Sequence, residues 1–70
     1  MTDKTRKTIA KRIHDTRIKL DMTQSDVAEK AGITTNYFAR IERADVNPSM
    51  EVILSIIKAL GVTSKDILDV

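Results

Sequence analysis

Apolar side chains recur along this chain at spacings of three and four residues, the period of amphipathic helices rather than of strands. The first such stretch predicts a helix from about Thr8 to Leu20, with Ile9, Ile13, Thr16 and Leu20 on one face and Lys11, Arg12 and Lys19 turned away. Residues 1–7 are then expected to be a flexible basic arm. A second helix starts after Thr23, whose hydroxyl can cap free backbone N–H groups while Asp26 sits in the positive first turn. Val27, Ala28 and Ala31 form its apolar face. Gly32 stands where a helix ends, because glycine takes the left-handed conformation without a side-chain clash. Thr34 caps a third helix, Thr35 to Arg43, with Phe38 and Ile41 inward and Thr35, Asn36, Arg40 and Arg43 outward.

Ala44 to Asn47 reads as a loop, Pro48 enforces the break, and Ser49 caps a fourth helix that ends at Gly61. Thr63 and Asp66 open a short fifth helix, Ser64 to about Asp69. Val52 to Ile57 is rich in β-branched residues and could pass for a strand. Its cap, the acidic Glu51 at its start, the basic Lys58 near its end and the closing Gly61 all favour helix, and no second strand exists to pair with it. The predicted architecture is all-α, a compact five-helix bundle in one domain spanning residues 1–70. The fourth helix carries more apolar surface than one core needs. Met50, Ile53, Leu54, Ile57 and Leu60 make the expected core stripe, while Val52, Ile56 and Ala59, with Ile67 and Val70 of the last segment, are the expected contact with a second copy.

Composition narrows the possibilities. Seventy residues support one small core and no deep catalytic cleft. Cysteine is absent, which removes disulfides, thiolate metal sites and thiol nucleophiles. His14 is the single histidine and is expected on the surface of the first helix; no glycine-rich phosphate loop and no nucleophile beside a base is present, so neither an enzyme nor a metal, cofactor or small-molecule site is expected. The longest apolar run is far below the roughly 18 residues that cross a bilayer, and the first 20 residues are charged, so a cytoplasmic protein is expected. The net charge is only +2, yet residues 1–19 hold seven Lys and Arg against two Asp. Such an end attracts a polyanion, although a solvated helix face carries the same pattern.

Two short helices joined by about three residues must approach closely, which demands small residues near the turn and apolar inner faces. Ala28, Gly32, Val27, Ala31, Ile33, Phe38 and Ile41 meet each demand. The stretch Met22-Thr23-Gln24-Ser25-Asp26-Val27-Ala28-Glu29-Lys30-Ala31-Gly32-Ile33-Thr34, followed by Arg40-Ile41-Glu42-Arg43, Asn47-Pro48-Ser49 and Ala59-Leu60-Gly61-Val62, resembles the lambda-repressor-like (Cro/repressor type) helix-turn-helix DNA-binding family. The resemblance covers about residues 8–68 and implies a five-helix bundle that binds operator DNA, usually as a dimer. Ala44-Asp45 replaces a more usual Gly with a polar or basic neighbour. Asn36-Tyr37 resembles the pair in the controller proteins of restriction-modification systems.

The resemblance makes the third helix the one that lies in the major groove. Thr35, Asn36 and Arg40 then become the base-reading residues: Arg40 can donate twice to guanine, Asn36 can pair with adenine, and Thr35 can bond a base or meet a thymine methyl. Gln24 at a helix N-terminus, Tyr37, Arg43, Asn47 and Ser49 are the expected contacts to the DNA backbone. Gln24 could also support Asn36. Lys7, Lys11 and Arg12 are expected to add general attraction rather than fixed contacts. Arg17 and Glu42 resemble an ion pair tying the first helix to the third. The expected function is a sequence-specific, double-stranded-DNA-binding transcriptional regulator, a repressor that acts as a homodimer by occupying a palindromic operator. A restriction-modification controller is the nearest alternative. A protein-interaction or antitoxin module is the alternative of another class.

Overall fold

A computed structural model, described here for residues 1–69, contains five helices: α1 Asp3–Lys19, α2 Gln24–Ala31, α3 Thr35–Glu42, α4 Met50–Leu60 and α5 Ser64–Leu68. No strand occurs among the described residues. The ends follow local chemistry. The side-chain oxygens of Thr2, Thr23, Thr34 and Ser49 accept from backbone N–H groups three residues on. Asp26 and Asp66 return the favour, each carboxylate accepting from the backbone N–H of its cap residue, Thr23 or Thr63, at 2.9 Å. Those backbone bonds are the first cause that holds both carboxyls below the usual aspartate range.

α1 starts five residues earlier than the apolar pattern predicts, so most of the expected arm is helical. Hydrophobic periodicity could not show this, because residues 3–8 carry no apolar side chain. Thr2 caps the helix, Asp3 sits in its first turn, and Arg6 pairs with Asp3 at 3.1 Å.

The core gathers Ile9 and Ile13 of α1, Val27 and Ala28 of α2, Phe38 and Ile41 of α3, the inner stripe of α4 and Ile67 of α5. Phe38 is fully buried at its centre. Two expectations about faces are corrected. On α1 the inward positions after Ile13 are not Thr16 and Leu20; Arg17 is buried there and Leu20 is 43% exposed. On α4 the inner stripe is Ile53, Ile56, Ile57 and Leu60, while Met50 and Leu54 are 54% and 45% exposed. Ile56 and Ile67, both expected at a dimer surface, have no exposed area. Val52 and Ala59 are half-buried against the same core, and Val70 lies outside the described residues. The cause is the density of apolar residues on α4. Two overlapping helical stripes were available, and packing against α2 and α5 selects the one centred on Ile53 and Ile56.

Gly32 and Gly61 close α2 and α4 in the left-handed conformation, at φ of 74° and 72°. Ala44, just after α3, takes φ of 60° despite its Cβ. Replacing Ala44 by Gly should therefore stabilise the fold by about 1 kcal/mol. Gly32→Ala should cost about the same through the backbone alone, since an added Cβ meets nothing within 4 Å. Urea denaturation of the two variants checks the opposite signs.

Candidate nucleic-acid interface

The turn between α2 and α3 is three residues, Gly32 to Thr34. Gly32 and Ile33 donate back to carbonyls of α2's last turn, Ile33 to Ala28 at 3.0 Å, which turns the chain without leaving those carbonyls unpaired. Ala28, 1% exposed, lets the two helices approach. Below them Phe38 and Ile41 anchor α3, so its other face is held outward by the core.

That outer face carries Thr35, Asn36 and Arg40, all exposed. Asn36 and Arg40 stand one turn apart, and among the described residues neither side chain has a hydrogen-bond or ion-pair partner. A free carboxamide and a free guanidinium on a rigid helix are groups ready to pair with base edges. Tyr37 is half-buried with its ring packed against the core. Asn47 is exposed in the loop before α4. Ser49 Oγ accepts from Val52 at 3.2 Å as the α4 cap, which leaves its proton free to donate.

Two expected backbone contacts have other employment. Gln24 was expected to offer its amide to a phosphate or to Asn36; instead Nε2 donates to Glu42 Oε1 at 2.9 Å. Arg43 is exposed, but its Nε donates to Asp45 Oδ2 at 2.9 Å in the following loop. Arg12 is also withdrawn from the surface charge, because its Nη1 donates to the carbonyls of Ile67 and Asp69 at the end of α5. These links span 18 residues for Gln24 and more than 50 for Arg12, and nothing in local sequence signals them.

The Arg17 and Glu42 pair is the structural centre of the interface. Nε and Nη2 of Arg17 donate to the two carboxylate oxygens at 2.6 and 3.1 Å, a bidentate arrangement. Nη1 donates to the carbonyl of Met22 at 2.9 Å. The Glu42 side chain is only 3% exposed and that of Arg17 10%. One carboxylate thus joins α1, the start of α2 and the end of α3.

A family model for the helix-turn-helix matches residues 13–67. The chain belongs to the helix-turn-helix family. It is 36% identical over 70 residues to the control protein C.BamHI of Bacillus amyloliquefaciens, covering 99% of this chain and 86% of that one. It is also 38% identical over 55 residues to the immunity repressor protein of Bacillus phage phi105, which covers 79% of this chain. This chain spans 38% of that repressor's length. Among solved structures it is similar to a Y37A mutant of the restriction-modification controller protein C.Esp1396I, with a TM-score of 0.88 at 25% identity over 93% of this chain and 84% of that one. The clp gene regulator ClgR from C. glutamicum matches with the same TM-score, identity and coverage. With these relatives the chain is a DNA-binding transcriptional regulator. No described helix is long and apolar enough to cross a membrane.

In this helix-turn-helix chain the buried pair gives a direct stability test. Removing one partner leaves an uncompensated charge, so Arg17→Met and Glu42→Leu should each cost about 3–5 kcal/mol. The double variant, which buries no unpaired charge, should lose clearly less than the sum. A double-mutant cycle by chemical denaturation measures the difference.

Proposed function

We propose that the chain reads a palindromic operator as a homodimer and regulates by occupying it, with Arg40 and Asn36 as its main base contacts. The observation that carries this reading is the pair of unpartnered polar groups, Asn36 and Arg40, on the outer face of a helix whose inner face is locked by Phe38 and Ile41. Thr35 stands beside them at the helix start. Tyr37 on the same helix, and Arg43, Asn47 and Ser49 in the segment that follows it, serve as backbone contacts. Gln24 serves chiefly through Glu42, which keeps α2 and α3 in register.

The homodimer reading keeps α4 but changes its residues. Met50 and Leu54 are the exposed apolar side chains of that helix, and Glu51 and Lys58 lie one each side of Leu54. Two antiparallel copies of α4 centred near Leu54 would bring Glu51 of each against Lys58 of the other, which is self-complementary. Such a pair would set two recognition helices to read half-sites about 34 Å apart. A role as a restriction-modification controller is favoured by C.BamHI, which this chain matches almost end to end. The sign of regulation follows from where the operator sits relative to the promoter.

Selection from random duplexes should return a palindrome; a non-palindromic consensus or none at all would defeat the reading. Against the selected site, Arg40→Ala should cost about 1–3 kcal/mol and relax preference at one position of each half-site. Leu54→Lys should leave the fold intact and shift the chain to monomer in sedimentation equilibrium. A wild-type chain that stays monomeric at high concentration, with and without the duplex, would dispose of the dimer.

A further inference from the structure

Beside the recognition helix lies a cleft of about 580 Å³ between α1 and the segment from Glu42 to Asp45. Lys7, Lys11 and His14, spaced by four and three residues, form its α1 wall, Ala10 its floor, and Arg43 lines the opposite side. Arg43 follows Arg40 by three residues, just past the end of α3, so the cleft opens at the C-terminal end of that helix.

The acids at the cleft are already occupied. Glu42 takes three bonds from Arg17 and Gln24 and is almost wholly buried. Asp45 holds Arg43 Nε, which leaves the two Nη groups free to donate. Asp15 holds Lys11 Nζ at 2.7 Å and lies 3.2 Å from His14 Nδ1, and those two hydrogen bonds lower its pKa. The Lys11 and Asp15 side chains are 76% and 55% exposed, so the pair is solvated and exchanges readily for a stronger anion. Lys7 has no ion-pair partner among the described residues. Arg12, the neighbouring cation, is by contrast fixed on α5. The basic end of the sequence is therefore not a uniform cloud.

We propose that this cleft is a fixed site for a backbone phosphate of DNA, with Lys7 and Lys11 donating from α1 and Arg43 from the far wall. It extends the contact beyond the recognition helix onto the first helix. The proposal rests on the regulator reading above and adds to it a second, sequence-independent grip.

The test is the salt dependence of binding to the selected duplex and to a random one. Lys7→Ala and Lys11→Ala should each lower the log-log salt slope by about 0.9, and the double variant by about 1.8, on both duplexes. Lys4→Ala, which removes the same charge from the same helix outside the cleft, should leave the slope nearly unchanged. Ethylation of one phosphate flanking the half-site should weaken wild type and not the double variant. Equal slope losses for Lys4, Lys7 and Lys11 would overturn the fixed site and leave the operator reading standing. Saturable shifts of the Lys7 and Lys11 amides with inorganic phosphate, together with unchanged slopes on DNA, would assign the cleft to a free anion and overturn the proposal. Failure of the wild-type chain to bind any duplex would overturn both readings.

Discussion

The carboxylate of Glu42 is taken out of water at the junction of three helices, and burying a charge is tolerated only where its lone pairs are met. Arg17 meets both oxygens from α1, and Gln24 adds a third bond from the first residue of α2. The same guanidinium reaches the Met22 carbonyl, pinning the turn that leads into α2. The angle at which α3 is presented therefore depends on a polar network as well as on the apolar contacts of Phe38 and Ile41. An all-apolar junction of equal volume could be as stable, but it would not dictate one geometry through directed bonds.

Under the proposed operator reading, this division explains how so few exposed residues can carry specificity. Base discrimination needs donors held to a fraction of an ångström, and α3 is only eight residues long. Its inner face is fixed by the core, its start by the Thr34 cap and the Gly32 turn, and its end by Glu42. Asn36 and Arg40 are left without internal partners on the remaining face. The other charged groups near them are largely engaged: Arg43 with Asp45, Lys11 with Asp15, Arg12 with the end of α5. What a duplex meets is a surface on which a few groups are free and the rest must exchange partners.

Much of the fold was legible because the signals are local. Capping residues, Gly32, Gly61 and Pro48 marked the helix ends to within a residue or two for α2 to α5, since a cap acts on backbone groups only a few positions away. The start of α1 was missed because apolar periodicity begins at Ile9, whereas the helix begins under the Thr2 cap with polar turns facing water. The outward placement of Asn36 and Arg40 was legible for a similar reason, since a helix with Phe38 and Ile41 inside must hold them outside, whereas their candidate base-reading role rests on the family resemblance. The Arg17 and Glu42 pairing came from family resemblance, and its third member, Gln24, did not.

The order of helices, their caps, the short turn and the outward face of α3 are properties of the sequence by itself, because each follows from interactions spanning one or two turns. Tertiary structure alone decided which apolar stripe of α4 turns inward, where Ile56 and Ile67 end in the core while Met50 and Leu54 remain in water. It also decided which basic side chains are spent inside the molecule and which line the cleft beside α3. Those outcomes depend on which distant surfaces meet, and a helix that is apolar on several sides carries no local preference among them.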